Sequence, residues 1–405
     1  MRISVQRNLE LDYRREGLFI ITLVTTGKFF MMDLAKELYS INQLQALITA
    51  YPKIKLKEFE FTSNLVLTKP FPYALNVLIN NNLSVSPKCR ARMELSDFLS
   101  VGKFSAARWD TCSNVVSMSS VALELGKKVL QTKYSYTVCR ASRHIEDQLK
   151  ILEEENDKWG YLGHLPGKEV VERELFDYDL ADTIIVPSEI CKDSFRNKGI
   201  SIEKVKVVRF PFIQKRLEHK NIEKQRKFVI TFVGSVTLRK GIPYLLEALA
   251  MLKDFQLQVN IIGAYDRKFL DHLDRMKLLD KRVTFHGSLP RNEVASFLSI
   301  TDIFVMPSVE EGWPIAWLEA MSLGCVPIVS NAICKISESP IRNERMFFES
   351  GNSADLADKI SFYYNNHDAL DMANFEIAST VMSSETWHEF AIKVLKISNS
   401  PNSRE

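Results

Sequence analysis

Short apolar runs alternate with amphipathic stretches along most of this chain. The run GLFIITLVTTG at residues 17–27 has the uninterrupted hydrophobicity of a buried strand, and MMDLAKELYSINQLQALITAY at residues 31–51 predicts a helix. Buried strands that alternate with helices are typical of parallel α/β domains. We therefore predict an α/β fold built on doubly wound parallel sheets.

The same pattern predicts further elements in each half of the chain. In the first half, strands are predicted at 114–120, 134–139 and 183–187, and helices at 121–130, 146–159, 168–181 and 189–199. Residues 204–210 are the last apolar run of this half. The second half has predicted strands at 228–234, 258–263, 282–287, 302–307 and 325–330, and predicted helices at 242–252, 268–276, 291–298 and 314–323. Two Rossmann-like domains that face one another are the simplest arrangement of these elements.

A charged stretch separates the two halves. QKRLEHKNIEKQRK, at residues 214–227, interrupts the hydrophobic pattern and predicts an interdomain linker. The length of 405 residues also exceeds what one hydrophobic core ordinarily serves. We therefore expect an N-terminal domain at residues 1–213 and a C-terminal domain at residues 228–380. Ligands of such folds bind at the carboxyl ends of the strands, so the interdomain cleft is the expected site.

Composition narrows the class of protein. With 46% hydrophobic and 25% charged residues, the chain is typical of soluble globular proteins. Its six cysteines are scattered, which favours reduced, buried thiols over a disulfide framework or a zinc site. Residues 1–17 carry charges where a signal peptide needs an apolar segment. We therefore expect a cytoplasmic protein.

Charge is unevenly distributed along the chain. Residues 1–150 contain 21 Lys and Arg against 13 Asp and Glu, a balance of +8, whereas the remainder has a balance of −5. The basic clusters are Arg14–Arg15, then Lys53, Lys55 and Lys57, and finally Lys88, Arg90 and Arg92. Such clusters fit an anionic partner, for example the inner face of a membrane or a phosphorylated acceptor. Solvated surface charge is the alternative, and both readings stay open.

Two segments carry candidate chemistry. The first, FVGSVTLRKGIPYLLEALAML at residues 232–252, places Gly234 at the end of a strand and Arg239 and Lys240 just before a helix. A glycine lets the backbone approach a ligand, and two cations beside a helix N-terminus suit a diphosphate. The glycine spacing matches neither a P-loop nor a G-x-G-x-x-G fingerprint. A basic loop without a ligand therefore stays open as the alternative.

The second segment, PSVEEGWPIAWLEAMSLGCVPIVS at residues 307–330, contains two carboxylates of interest. Glu311 precedes Pro314, which fits the first turn of a helix, and a carboxylate is electrostatically favoured there without any function. Glu319 lies within the predicted helix among apolar neighbours, where an unpaired carboxylate is costly to bury. Ribose hydroxyls would be suitable donors to it, and an exposed place on the helix is the alternative.

These segments resemble glycosyltransferase family four, a group 1 family with the GT-B fold. Glu311 and Glu319 enclose seven residues, as in the Glu-x7-Glu signature of that family, and residues 232–248 resemble its phosphate-binding segment. The resemblance implies that the C-terminal domain binds the nucleotide-sugar and that the N-terminal domain faces the acceptor.

The resemblance extends beyond the second domain. CRASRHIEDQLKILEEENDKWG, at residues 139–160, is similar to an arginine-glycine-serine-serine-histidine segment of some members, and residues 172–200 are similar to the stretch that closes their first domain. TWHEF at residues 386–390 resembles the start of a helix that crosses back to that domain. We place this crossing helix at residues 381–397.

Roles for single residues follow from the resemblance. Arg239 and Lys240 would neutralise the donor diphosphate beside Gly234, and the backbone of a loop would face the phosphates. That loop consists of Gly312, Trp313 and Pro314. His144 and Glu311 are the implied catalytic residues.

The remaining implied roles concern the sugar, the nucleotide and the acceptor. Glu311 would hold a hydroxyl of the transferred sugar, and His144 would reach that sugar from the first domain. Glu319 would accept a hydrogen bond from the nucleotide ribose. Gly27 lies where the family has its acceptor-side loop.

The resemblance implies a retaining glycosyltransferase of surface polysaccharide synthesis. It would move a sugar from a UDP-, GDP- or ADP-linked donor to a glycan or lipid-linked acceptor, with no cofactor, no metal and no nucleic acid. Asp177-Tyr178-Asp179 looks like a metal-binding Asp-x-Asp motif, but the alternating charges of its helix indicate a solvated face.

Two departures from the family keep other functions open. Ser235 replaces a frequent arginine, and the loop at Gly27 has one glycine where a pair is usual. A catalytically degenerate scaffold on the same fold is the main alternative. A sugar-nucleotide epimerase or a phosphorylase on this architecture is the other.

Overall fold

The computed structural model describes residues 20–59, 64–82, 85–212 and 227–400. Most of the predicted linker and the basic pair Arg14–Arg15 lie outside the described residues. Within the described part of the chain, no helix is both long and apolar enough to cross a membrane.

The first domain is built on a parallel sheet of seven strands in the order β3-β2-β1-β4-β5-β6-β7. Its strands are β1 (Ile21–Thr25), β2 (Leu44–Thr49), β3 (Val66–Thr68), β4 (Asn114–Met118), β5 (Tyr136–Cys139), β6 (Thr183–Val186) and β7 (Val205–Val207). The helices are α1 (Met31–Ser40), α2 (Tyr73–Asn82), α3 (Pro87–Arg108), α4 (Leu123–Val129), α5 (Ile145–Trp159), α6 (Lys168–Leu180) and α7 (Glu189–Asn197). The strand order reverses direction between β1 and β4, as it does in doubly wound folds.

The second domain repeats this plan with six parallel strands in the order β10-β9-β8-β11-β12-β13. Its strands are β8 (Phe228–Val233), β9 (Leu257–Ile262), β10 (Val283–Gly287), β11 (Ile303–Met306), β12 (Val326–Ser330) and β13 (Phe347–Phe348). The helices are α8 (Ile242–Met251), α9 (Arg267–Arg275), α10 (Arg291–Ser299), α11 (Ile315–Ser322), α12 (Ser353–Asn365), α13 (His367–Ser383) and α14 (Trp387–Asn399). The prediction of two doubly wound parallel domains is confirmed.

The helix predicted over residues 31–51 is wrong in its second half. Helix α1 ends at Ser40, and the strand β2 follows after a turn in which Asn42 has a left-handed φ of 57°. The apolar residues of Leu44–Thr49 are those of a strand with sheet neighbours on both sides, β1 and β3. A short apolar run of this kind fits a buried helix equally well, so periodicity alone could not separate the two.

The last helix, α14, packs on the first domain. Thr386 caps it, and the backbone carbonyl of Ser398 accepts a hydrogen bond from the Asn114 amide over 2.9 Å. The ring of Phe390 contacts those of Phe30 and Phe210, with centroids 6.0 and 5.9 Å apart. This helix begins at Trp387, whereas residues 381–383 of the predicted crossing helix belong to α13.

Helix α6 differs from the solvated helix that its charges indicated. Arg173 and Asp177 are buried, and only Asp179 of the Asp-x-Asp pair is exposed. The Asp177 carboxylate accepts hydrogen bonds from the Tyr136 hydroxyl over 2.6 Å and from the Ser120 backbone N–H over 2.9 Å. These partners compensate the burial of the charged groups, which alternation of charge in the sequence does not reveal.

The cysteines are all free, and they differ in exposure. Cys139, Cys191, Cys325 and Cys334 are buried, as expected. Cys112 is half-buried, and the expectation is wrong for Cys89, which is exposed. It lies in the first turn of α3, where its backbone N–H donates to the capping hydroxyl of Ser86.

Candidate active site

A cleft of about 1210 Å³ separates the two domains. It is lined by residues that follow β1, β4 and β5 of the first sheet and β8 and β11 of the second. These include Thr26, Ser119, Arg140, Gly234 and Glu311. The carboxyl ends of both sets of strands therefore meet at one cavity, as expected for ligand binding in doubly wound folds.

Two cations meet one carboxylate in this cleft. A guanidinium nitrogen of Arg239 (Nη1) lies 2.8 Å from Oε1 of Glu311, and Nζ of Lys240 contacts the same oxygen. Lys240 and Glu311 are buried, whereas the Arg239 side chain is 31% exposed and opens toward the cleft. The structure thus brings together three of the residues that the two sequence segments singled out.

The pKa values of the two cationic side chains are shifted in opposite directions. Burial lowers the pKa of Lys240, and the neighbouring Arg239 lowers it too, while Glu311 opposes them; the net shift is downward. For Arg239, burial also disfavours the charged form, but the carboxylates of Glu311 and Glu310 outweigh it and raise the pKa. Arg239 is therefore the permanent cation of the pair, and the charge on Lys240 depends more on an anionic neighbour.

The two chemistry-bearing loops are packed against each other. Gly241, after the cations, has a φ of 68°, and a Cβ there would lie 1.8 Å from the backbone oxygen of Pro307. The backbone oxygen of Arg239 accepts a hydrogen bond from the Val309 N–H over 3.0 Å. Only glycine allows this close approach, which fixes the cations relative to the loop that carries Glu311.

A fourth residue, Glu310, completes the charged cluster, and the sequence analysis missed it. Its side chain is fully buried and accepts hydrogen bonds from Ser142 and, over 2.9 Å, from Gln148. Burial alone would raise the pKa of Glu310, but Arg239 and the hydrogen bonds from Ser142 and Gln148 lower it overall. Glu310 is therefore ionised at neutral pH. Its position beside Glu311 was the only signal in the sequence.

Glu319 lies away from this cluster. Oε1 of Glu319 accepts a hydrogen bond from Arg291 over 2.6 Å, and both residues border a separate small cavity. Its side chain is 24% exposed, so it is neither buried without a partner nor fully solvated. Glu319 is not among the residues that line the large cleft. Its contact with a nucleotide ribose stays a prediction.

The ring of His144 points into the first domain rather than to the cleft. It is 2% exposed and packs between Tyr178 and Phe195, with ring centroids 5.1 and 5.0 Å away. Its Nδ1 accepts a hydrogen bond from the Glu146 N–H over 3.3 Å, which caps α5, and burial lowers its pKa. The structure does not bring His144 together with Glu311, and its contact with the sugar stays a prediction.

The other predicted site residues lie at or beside the cleft. Its lining includes Gly234, Trp313 and Pro314, and Pro314 also caps α11. A Cβ on Gly312 would lie 2.1 Å from the backbone oxygen of Ala141, so this loop presses against the first domain. Gly27 follows β1, where a Cβ would come 3.3 Å from the Tyr73 hydroxyl.

The first-domain side of the cleft carries titratable groups that the sequence analysis did not single out. Burial raises the pKa of Glu94 to about 7 and that of Asp97 to about 6, and burial lowers the pKa of His164 to about 4. Glu94 and Asp97 lie on α3, a helix that the hydrophobic pattern did not predict. Their spacing of three residues would have placed them on one face had that helix been recognised.

Sequence comparison relates the second domain to a known protein family. The profile of the family described as Glycosyl transferases group 1 matches residues 214–376. Over these residues, the second domain is similar to the group 1 glycosyltransferases. This confirms the resemblance that Glu311, Glu319 and the basic loop indicated.

Curated relatives resemble part of the chain. The N,N'-diacetylbacillosaminyl-diphospho-undecaprenol alpha-1,3-N-acetylgalactosaminyltransferase of Campylobacter jejuni is 27% identical over 199 residues, which cover 45% of this chain and 51% of that protein. The UDP-Gal:alpha-D-GlcNAc-diphosphoundecaprenol alpha-1,3-galactosyltransferase of Escherichia coli is 30% identical over 179 residues, covering 42% of this chain and 41% of that one. The matched segment thus spans about half the length of the first of these relatives.

Solved structures resemble the whole chain in fold. Sucrose-phosphate synthase from Thermosynechococcus elongatus superposes with a TM-score of 0.68 at 16% identity, covering 93% of this chain and 98% of that one. HepE of Anabaena, solved with UDP and glucose, gives a TM-score of 0.65 at 15% identity over 93% and 98% of the two chains. The predicted GT-B fold, with two facing Rossmann-like domains, is confirmed.

Proposed function

We propose that this protein is a retaining glycosyltransferase that moves a sugar from a nucleoside-diphosphate donor to a glycan or lipid-linked acceptor. The observation that carries the proposal is the convergence of Arg239, Lys240 and Glu311 at the strand ends of an interdomain cleft. Two cations there suit a departing diphosphate, and a buried carboxylate beside them suits the hydroxyls of the transferred sugar.

The chemistry requires a leaving group that departs as a nucleoside diphosphate while positive charge develops at the anomeric carbon. Arg239 and Lys240 would stabilise the negative charge that grows on the phosphate, with no metal ion needed for that task. Glu311 would exchange its cationic partners for a sugar hydroxyl when the diphosphate takes its place. The new bond would form on the face that the leaving group vacates, with a phosphate oxygen as the base for the acceptor hydroxyl.

UDP is the first nucleotide to test, because HepE of Anabaena was solved with UDP and with UDP-glucose. A diphospho-undecaprenol-linked acceptor fits the names of the Campylobacter and Escherichia relatives. Such an acceptor belongs to surface polysaccharide synthesis and would bring the protein to the inner face of the membrane.

Exposed apolar side chains of the first domain support membrane contact. On α2 and just before it, Phe71, Leu75 and Leu78 are spaced by about one helical turn and are 64%, 46% and 60% exposed. Phe29, which is 61% exposed, lines the cleft together with Tyr73 of the same helix. Exposed basic residues, Lys28, Lys69, Lys88 and Arg92, belong to the same part of the chain. Apolar side chains among cations suit an anionic lipid surface.

A nucleotide panel followed by product analysis tests this proposal. We expect thermal stabilisation by one of UDP, GDP and ADP, and release of that diphosphate from its sugar conjugate when acceptor is present. At a concentration about 100 times its dissociation constant, the ligand should add about 2.7 kcal/mol of apparent stability. Nuclear magnetic resonance of the product should show the anomeric configuration of the donor. Binding without turnover would instead favour the degenerate scaffold.

A further inference from the structure

Glu310 joins the two domains at the donor side of the cleft, and the Glu-x7-Glu signature does not include it. One carboxylate oxygen accepts hydrogen bonds from the Ser142 hydroxyl and, over 3.4 Å, from the Arg143 backbone N–H. The other accepts from the Gln148 amide over 2.9 Å. All three donors belong to the first domain, whereas Glu310 follows β11 of the second.

The same residue holds the guanidinium of Arg239. Nη1 of Arg239 lies 3.0 Å from the backbone oxygen of Glu310 and 3.4 Å from its Oε2. Oε1 of Glu311 is 2.8 Å from the same nitrogen. Three acceptors on two consecutive residues therefore fix one nitrogen of a rigid, planar group.

Backbone contact brings this loop onto the first domain. A Cβ on Gly312 would lie 2.1 Å from the backbone oxygen of Ala141 and 2.8 Å from Cγ of Pro187. The loop that holds Arg239 is therefore also a surface on which the two domains meet. Any opening of the cleft at this point would separate Glu310 from its donors in the first domain.

The hydrogen bonds of Glu310 connect to further polar and charged side chains within the first domain. Oε1 of Gln148 accepts a hydrogen bond from Arg140 over 2.8 Å, and Arg140 lies 3.0 Å from the carboxylate of Glu174. These side chains have little freedom, because Glu174 and Glu310 are buried and each would lose hydrogen bonds if it moved. The position of Arg239 is thus coupled to helices α5 and α6 across the cleft.

We propose that Glu310 is a positioning residue that sets Arg239 for the donor diphosphate when the two domains are in contact. The inference rests on the proposed function and assigns to it a residue outside the signature. Donor binding would be strong only while Ser142 and Gln148 hold the Glu310 carboxylate. Closure of the cleft and capture of the phosphates would then be one event.

Calorimetric titration of three variants tests the proposal. Wild type, Glu310→Gln, Gln148→Ala and Glu155→Gln are titrated with the nucleoside diphosphate that stabilises the wild type, chosen from UDP, GDP and ADP, and with the matching nucleoside. Glu155→Gln is the matched control, because Glu155 also bridges the domains, accepting from the Tyr244 hydroxyl over 2.8 Å. Its partners are Tyr244 and Trp159, whereas the described ion pairs of Arg239 are with Glu310 and Glu311.

The expected result is a loss specific to the phosphates. The diphosphate should bind about tenfold more weakly to Glu310→Gln and about threefold more weakly to Gln148→Ala, as the loss of a hydrogen bond to a charged group implies. Nucleoside affinity should not change, and Glu155→Gln should behave as the wild type. If Glu310→Gln fails to fold, the diphosphate affinity of Gln148→Ala alone tests the positioning role.

Other outcomes would overturn the inference. Equal or tighter diphosphate binding by Glu310→Gln would mean that its charge merely opposes the phosphates. An equal loss of nucleoside affinity would indicate general disorder of the cleft. A wild type that binds none of the three diphosphates would defeat the proposed function itself, whereas a binding wild type with unchanged variants would defeat the positioning role alone.

Discussion

The guanidinium of Arg239 lies 2.8 Å from the carboxylate of Glu311. The side chain proposed to bind the donor diphosphate therefore has an anionic partner before any ligand binds. Lys240 contacts the same carboxylate oxygen. An incoming diphosphate must therefore compete with Glu311 for both cations. The same exchange would release Glu311 to accept a hydrogen bond from a sugar hydroxyl.

Glu311→Gln should separate binding from turnover. Removal of the competing charge should tighten nucleoside diphosphate binding about threefold to tenfold. Transfer from the sugar conjugate should fall at least about a hundredfold, because a charged hydrogen-bond acceptor for the sugar is replaced by a neutral amide. Calorimetry and a diphosphate-release assay measure the two effects. Glu293→Gln, on the exposed part of α10, is a control for charge removal elsewhere. Weaker diphosphate binding by Glu311→Gln would contradict the competition.

Arg239→Gln should lose affinity for phosphates but not for the base and ribose. The loss of one charge-assisted contact predicts about tenfold to a hundredfold weaker binding of the diphosphate. The matching nucleoside should bind as it does to the wild type, and the same titration measures both. Lys268→Gln is the matched control. Lys268 is another cation that lines the cleft, and it does not belong to the cluster of Arg239, Lys240 and Glu311. A parallel loss of nucleoside affinity would show that Arg239 does not act on the phosphates.

The two parallel sheets could be predicted from the sequence, because buried parallel strands leave a clear apolar pattern. A common donor site for Arg239, Lys240 and Glu311 was implied only by the family resemblance. It could not predict Glu310, whose partners Ser142 and Gln148 are remote in the chain. Residue spacing also could not show which way His144 points. That orientation is decided by its packing against aromatic rings of two other helices.

Glu319→Ala should weaken the response to nucleotide while leaving the free protein almost unchanged. Its ion pair with Arg291 is partly exposed, and such pairs contribute about 0–1 kcal/mol to stability. If Glu319 accepts from the ribose, the thermal shift produced by the nucleoside diphosphate should fall, and the shift produced by pyrophosphate should not. Arg291→Ala breaks the same ion pair and serves as the control. Equal shifts in wild type and Glu319→Ala would contradict contact with the ribose.

Asp177→Asn should flatten the pH dependence of stability. Burial raises the pKa of Asp177 to about 7, so between about pH 4 and pH 7 the folded state keeps a proton that the unfolded state has lost. The stability that this bound proton contributes is fully present below about pH 4. It is lost as the pH rises through 7, by up to about 1.4 kcal/mol per pH unit. Asparagine does not titrate and can still accept from the Ser120 N–H.

Urea unfolding at pH 5 and at pH 8 measures this effect. Relative to the wild type, Asp177→Asn should gain stability at the higher pH. Asp179→Asn is the control, because Asp179 is exposed on the same helix. Parallel stability changes of wild type and Asp177→Asn between the two pH values would show that Asp177 is already ionised in the folded protein at pH 5.

Leu75→Ser/Leu78→Ser should release the protein from anionic vesicles. Burial of two leucines in a bilayer surface contributes at least about 2 kcal/mol, so the double variant should bind vesicles that contain phosphatidylglycerol at least about tenfold more weakly. Binding of the wild type should also weaken with salt and should be slight on phosphatidylcholine alone, because the surrounding cations act through screened attraction. Sedimentation with vesicles measures both effects. Met372→Ser/Phe375→Ser is the matched control, since these side chains are 75% and 79% exposed on α13 of the second domain. Equal losses from the two double variants would mean that exposed apolar area in general, and not this face of the first domain, meets the lipid.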